Sequence, residues 1–418
     1  MKCMDLLLVK KNVWFWKCLF PVKQLKIAPM LSDKPTTAFL EVGFRPFFLG
    51  AGFFAMLTMA LWSAIYIFQI DFELNNISQF EWHAHEMLFG YAMAVIAGFL
   101  LTSVRTWTRT ATAEGKHLLI LFALWVIARV CFLFGTSFIE VAATTDVLFT
   151  LWLSYILTHR IVKAKQWNQI GIIAKVLLIT LCNITFYAGA LGYLENGVIW
   201  GIFSAMYIIL ALIMTMGRRV IPFFIERATN DAVKLFNTRW VDITNLFIFL
   251  AFAINEVFIE HETTAAYLAT ILFILNAYRL IRWHHPIIWQ QGLLWSIYLS
   301  FWMITFGFAL FALTYFANLD IPKLLAIHAF TVGGIGMITM GMISRVSLAH
   351  TGRNVYEPPK ALIYAFSAIL ISAIVRVILP LFDIWAYETL IGISQVFWVL
   401  AFAIFITAYA PILLRPKK

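Results

Sequence analysis

Residues 198–217 read VIWGIFSAMYIILALIMTMG, a run without a charge, bounded by Glu195 before it and by Arg218 and Arg219 after it. About twenty such residues, at 1.5 Å each, cross the roughly 30 Å of a bilayer's hydrocarbon. In lipid only helices and closed barrels satisfy their own backbone groups, so the run predicts a membrane-spanning helix with an acidic and a basic end. Similar runs recur near 46–68, 83–103, 117–136, 140–158, 170–193, 241–259, 264–281, 291–316, 324–344, 361–380 and 387–413, giving about twelve spans. Only 12% of the 418 residues are charged and 62% are hydrophobic. Soluble domains carry about a quarter charged residues, so a soluble globule is excluded. The expected fold is all-α, a polytopic integral membrane helix bundle. No gap between runs is long enough for a soluble domain, so residues 38–418 form one transmembrane domain and 1–37 a basic cytoplasmic or interfacial arm.

Charge in the gaps alternates. Arg105, Arg109 and Lys116, then Arg160, Lys163 and Lys165, then Arg218, Arg219, Arg227, Lys234 and Arg239 make basic gaps, as do 279–290, 345–360 and the C-terminus. Asp71, Glu73 and Glu81, then Glu140, Glu195, Glu260 and Glu262, Asp320 and Asp383 make the intervening gaps acidic, and only Lys323 breaks the pattern. Because cytoplasmic loops retain Lys and Arg, both termini are expected in the cytoplasm. The net charge of +10 is mostly this orientation signal. Nucleic-acid binding would gather the same charges on one soluble surface, and they are dispersed.

The apolar stretch of the arm is short, interrupted by Lys17 and followed by no small-residue cleavage site, so it reads as an inner-leaflet segment rather than a signal peptide. Cys3, Cys18, Cys131 and Cys182 form no CxxC pair. No internal repeat of the kind many secondary transporters carry is visible. Arg129 and Arg376 fall inside spans, where a charge is expensive and must be paired or snorkel, with Asp146, Glu256 or Asp383 as candidate partners.

The nine histidines carry the functional signal. His83, His85 and Glu86 lie in Trp82-His83-Ala84-His85-Glu86-Met87 at the outer end of the second span, and His328 lies about one turn into the tenth, which enters from the same side. Imidazole is a good metal ligand when neutral, and the positive end of a helix dipole disfavours imidazolium. A convergence of His83, His85 and His328 on one metal, with Glu86 orienting an imidazole through its other nitrogen, is therefore expected. The competing reading is a set of interfacial side chains. His83 and His85 are about 200° apart on a helix, so both reach one site only if one precedes the helix. At the opposite end, Arg345-Val346-Ser347-Leu348-Ala349-His350-Thr351-Gly352-Arg353 places His350 between two arginines. Such a loop holds anionic groups or simply marks the cytoplasmic side. Gly334 and Gly341, seven apart, permit close helix packing or leave room for a flat macrocycle.

Several of these motifs together resemble the NnrS family. They are Phe44-Arg45-Pro46-Phe47-Phe48, Trp82-His83-Ala84-His85-Glu86-Met87-Leu88-Phe89-Gly90, Gly98-Phe99-Leu100-Leu101-Thr102, Arg219-Val220-Ile221-Pro222-Phe223-Phe224, His328-Ala329-Phe330-Thr331-Val332-Gly333 and the Arg345–Arg353 motif. The similarity runs in order from about residue 38 to the end. It implies a multi-pass protein of the bacterial inner membrane that contains haem and copper and belongs to the response to nitric oxide and nitrosative stress. Carried over, the family's histidines fall on His83, His85, His328 and His350; Arg345 and Arg353, on their charge alone, are the candidate contacts for anionic groups such as haem propionates. Ala349 replaces a Gly expected before the last of these, and Arg218 replaces a Gly before Arg219; Ser103-Val104-Arg105-Thr106-Trp107 stands where the family has Pro before Asn-Trp. The sequence leaves two function classes open: a haem- and copper-containing protein that binds nitric oxide or does redox chemistry with it, and a transporter or sensor of a small anion or metal using the same histidines along a path.

Overall fold

The computed structural model describes residues 37–70, 77–235, 238–316 and 321–417. The basic arm, with Cys3 and Cys18, and the acidic loop residues Asp71, Glu73 and Asp320 lie outside them. Twelve long apolar helices are present among the described residues, and no strand. They are α1 (Phe44–Phe68), α2 (Gln79–Thr108), α3 (Gly115–Leu133), α4 (Ile139–Lys163), α5 (Trp167–Ala190), α6 (Gly197–Ala228), α7 (Arg239–Ile259), α8 (Glu262–Trp283), α9 (Gly292–Phe316), α10 (Lys323–His350), α11 (Ala361–Phe382) and α12 (Tyr387–Leu414). Each corresponds to one apolar run of the sequence. The alternation of the chain gathers Arg109, Lys165, Arg227, Arg353 and Arg415 at one end of the bundle, its basic face, and Glu81, Glu140, Glu195, Glu260 and Asp383 at the other, its acidic face.

Helices α2 and α10 form the centre: 83% and 78% of their most apolar stretches are buried inside the protein, against 33% for α3 and for α7. They touch through a hydrogen bond between the Tyr91 and Thr339 hydroxyls. Helix α12 lies along α1 and α11, α5 along α6, and α9 along both α8 and α10. Small residues set the α9–α10 distance. A Cβ on Gly334 would sit 2.6 Å from the Ile304 side chain, and one on Gly341 would sit 2.8 Å from Ile297. Of the two roles open to these glycines, close helix packing is therefore the one realised.

Local chemistry explains where the helices depart from the apolar runs. Helix α2 begins at Gln79, four residues before its apolar run, because Ser78 and Glu81 form a reciprocal capping box: Glu81 N–H donates to Ser78 Oγ (3.2 Å) and Ser78 N–H to Glu81 Oε2 (2.6 Å). His83 and His85 are consequently both inside the helix. Helix α10 continues unbroken to His350, and α6 runs to Ala228 through Pro222. Four spans widen into π-helical turns, at Glu86–Ala92, Asn255–Ile259, Ala329–Gly336 and Ile374–Ile378. Such turns are rare and concentrate at functional sites. Here Glu86, Glu256 and Arg376 lie within them, and His85 and His328 immediately precede them. Lys323, the residue that breaks the charge alternation, pairs at the acidic face with Glu256 (2.7 Å), whose other oxygen accepts from Tyr315 (3.3 Å).

Candidate functional site

Most histidines away from the motifs have local duties. His261 caps α8 by accepting from the Thr264 N–H (3.3 Å), His285 accepts from the Ile287 N–H (3.2 Å), His284 accepts from the Trp289 indole (3.2 Å), and His159 stacks on Tyr155. His117 is exposed in the first turn of α3. His83, His85, His328 and His350 remain, and the structure sorts them into three places rather than two.

His85 is wholly buried between α2, α3, α4 and α5. Its Nδ1 lies 3.0 Å from Glu86 Oε1, its Nε2 3.1 Å from Asn183 Oδ1 and 3.7 Å from Asp146 Oδ2. Arg129 donates to both Glu86 and Asp146, and the Tyr187 hydroxyl donates to Asp146 Oδ2 (3.2 Å). Phe186 stacks on the imidazole at 4.2 Å, with Phe89, Phe132 and Tyr187 packed around it. Both ring nitrogens are engaged. One guanidinium between two carboxylates, all at most 3% exposed, is an arrangement whose desolvation is costly and which persists only when well bonded. Arg129 thus finds Asp146 as its partner and Glu86 as a second one.

His83 points to the other side of α2, as the 200° separation requires. Its ring lies flat on Trp62 of α1, with centroids 4.7 Å apart and planes at 12°, and its Nδ1 is buried without a hydrogen-bond partner. The charge of Arg376 acts on both His83 and His328, and His83 acts on His328, so these three side chains of α2, α10 and α11 share one neighbourhood at the acidic face. His328 Nδ1 donates to the Leu324 carbonyl (2.8 Å), which fixes its proton there, and Nε2 makes no hydrogen bond among the described residues. Arg376 donates to the Tyr387 hydroxyl (2.6 Å) and lies over that ring, with no ion pair to Asp383 among the described residues. His85 therefore belongs to a separate network, while His83 and His328 both lie within reach of the Arg376 charge.

His350, the last residue of α10, lies at the basic face against Phe44 (centroids 6.0 Å apart), and Arg105 and Lys417 are the charges that act on it. Of the two arginines that flank it in sequence, Arg345 is buried with its guanidinium 3.7 Å from the Phe224 ring centre, and Arg353 has Nη1 buried without a hydrogen-bond partner among the described residues. Arg45 donates to the Leu413 carbonyl (2.9 Å). His350 also lines a small pocket of about 10 Å³ between α2, α6 and α10, room for about one water, bordered by Ser103, Thr106, Phe99 and Phe224. A second pocket, of about 80 Å³, shares Phe99, Val220 and Met342 in its lining, reaches α9 and exposes only apolar atoms.

Trp62, Asn183 and Tyr187 were not singled out by the sequence. Asn183, an amide in the middle of an apolar run, carried a signal of the same kind as Arg129; Trp62 is one of 16 tryptophans and carried none. Among the described residues no group of three or more His, Cys, Asp or Glu is arranged to hold a metal ion.

The family model for NnrS protein matches residues 38–417, nearly the whole chain. This chain belongs to the NnrS family. Among curated proteins none matches it. In this NnrS-family protein the matched region takes in all three histidine sites and excludes only the N-terminal arm and the last residue.

Proposed function

We propose that the protein acts in the membrane as a metal-dependent nitric-oxide-handling protein, binding the gas or taking part in its redox chemistry, with His83 and His328 as the metal-holding pair. Membership of the NnrS family supports a role in the response to nitric oxide. One observation carries the residue assignment: among the described residues His83 Nδ1 is buried without a partner, and His328, held through Nδ1, makes no hydrogen bond through Nε2. Two imidazoles with available nitrogens fit copper or a haem iron, the two groups that the family resemblance implies.

The surroundings add to the fit. Trp62 holds the His83 ring in one plane, and the Leu324 carbonyl fixes the tautomer of His328, as outer partners of metal-binding histidines commonly do. The Arg376 charge suits an anionic group such as a haem propionate and, for copper, favours the monovalent over the divalent ion. When bound, such a metal would supply an open coordination position for a small uncharged diatomic. The chain's own contribution is to orient the imidazoles and to surround them with spans through which an apolar gas diffuses from lipid. His85 is read as part of the buried network that fixes α2 against α3, α4 and α5, and hence fixes His83 on the far side of the same two turns.

The test is an optical spectrum with metal analysis of purified protein and of His83→Ala and His328→Ala. The expected result is loss of a Soret band, of bound copper, or of both in each variant, with membrane insertion retained. A parental spectrum and metal content in both variants would reject the pair as ligands.

A further inference from the structure

We propose that a cationic cluster shared by α5, α6, α7 and α8, in the basic half of the bundle, binds the phosphate of an anionic phospholipid. The proposal stands independently of the metal pair at the acidic face. Its cations are Lys175 of α5, Arg218 and Arg219 of α6 and Arg279 of α8. Arg218 and Arg219 both act on Lys175, and Arg218 acts on Arg219 and on Arg279, so the four share one neighbourhood. One carboxylate is set among them: Asp242 of α7 accepts from Arg218 and, at 2.9 Å, from Arg279. No carboxylate is among the charges that act on Lys175.

Depth separates this cluster from charge that only marks the cytoplasmic side. Lys163 and Lys165 stand exposed at or beyond a helix end. Lys175 instead lies eight residues, roughly 12 Å, inside α5, and its amine turns back toward the basic end to donate to the Gly171 carbonyl (3.2 Å). Arg218 precedes the end of α6 by ten residues, roughly 15 Å. Like charges gathered at such depth repel one another, and an anion among them offsets the cost. A second observation points to the same ligand. Gln169, wholly buried at the start of α5, accepts from Arg219 through Oε1 (3.2 Å), while its Nε2 is buried without a hydrogen-bond partner among the described residues. A phosphate oxygen, with lone pairs only, is the group that this amide and the guanidinium beside it both lack.

The surroundings favour a lipid over a soluble anion. The Arg218 side chain keeps 34% of its surface exposed and Lys175 and Arg219 are half-buried, so a phosphate docks on the cluster from outside and needs no cavity. Trp167 and Trp240, in the first turns of α5 and α7, are exposed at the level where headgroups lie. Further into the spans Leu177 and Leu178 of α5 and Ile243 and Leu246 of α7 are exposed and apolar, a surface for acyl chains. Arg218 stands where the family resemblance leads one to expect Gly, so one cation of the cluster is this chain's own.

The test is native mass spectrometry of the full chain released from nanodiscs that contain phosphatidylglycerol and phosphatidylcholine with the same acyl chains. Phosphatidylglycerol should be retained in preference. Lys175→Gln and Arg219→Gln should each weaken its retention by about fivefold, the contribution of one basic residue beside an anionic lipid surface. Lys163→Gln, which removes an exposed cation of the same face, should leave retention unchanged; equal weakening would reduce the effect to the general charge of that face and overturn the proposal. Displacement by excess inorganic phosphate, with no preference between the two lipids, would make this a site for the free anion and also overturn it. Thermal unfolding gives a second reading that does not depend on retention. In phosphatidylcholine alone Lys175→Gln should melt above the parent, because a repulsion has been removed, and added phosphatidylglycerol should raise the parent more than the variant. A variant that melts below the parent there, or gains as much from phosphatidylglycerol, would give Lys175 a structural role only and reject the site.

Discussion

Replacing Arg129 with Met should destabilise the bundle more than any other single change at the acidic face. The guanidinium donates to Glu86 and to Asp146, and all three side chains are at most 3% exposed. Met keeps most of the apolar stem but removes both charge-assisted bonds and leaves two carboxylates facing each other without a cation. Breaking a buried ion pair from one side costs about 3–5 kcal/mol, because the charge left behind stays desolvated. The loss should appear in reversible unfolding by SDS in mixed micelles, followed by far-UV circular dichroism. The triple variant Arg129→Met, Glu86→Gln, Asp146→Asn separates charge from shape. With no ion left to bury, it should recover to within about 1–2 kcal/mol of the parent, since a neutral replacement of a buried ion network is often tolerated. An Arg129→Met protein within about 1 kcal/mol of the parent, or a triple variant less stable than the single one, would refute the claim that the network is held by mutual charge compensation.

Ser78→Ala removes one half of the capping box and should cost about 0.5–2 kcal/mol in the same unfolding assay, with a drop in metal content if fraying of the first turn reaches His83. Gly341→Leu forces a side chain against Ile297 and should cost about 1–3 kcal/mol by overpacking, whereas a neutral effect would show that α9 and α10 separate easily. A reporter fused after Lys418 should be active only in the cytoplasm, as the basic face predicts; activity restricted to the periplasm would invert the topology.

The fold was legible because lipid imposes a length and a charge rule on every span, and both can be counted along a chain. The helix starts were less so. Ser78 and Glu81 show how a capping box outside an apolar run goes unnoticed when hydropathy alone sets the boundary, although its spacing is in the sequence. That boundary decided the site: with α2 beginning at Gln79, His83 and His85 cannot share a centre. Arg345 and Arg353 are symmetric about His350 in sequence but not in space: a helix that continues to His350 turns Arg345 onto Phe224 and leaves Arg353 beyond its end, with Nη1 buried and without a hydrogen-bond partner among the described residues. The cations that act on His350, Arg105 and Lys417, come from other parts of the chain, where no local pattern points to them. Lys323 shows that an exception to a charge rule can be informative, since its partner Glu256 lies on another span.

The π-helical turns give the protein a tolerance that substitution scans never sample. A π turn holds one more residue than the α turn it replaces, so deleting Tyr91 or Ala92 would let the helix return to regular winding while His83 and His85 keep their present faces. The same deletion in a regular α stretch of this span would instead turn one flank by about 100° against the other. Trp62 would then lose His83, and Asn183 would lose His85. These four stretches are therefore where such a bundle can change in length without re-aiming the side chains on either side of them.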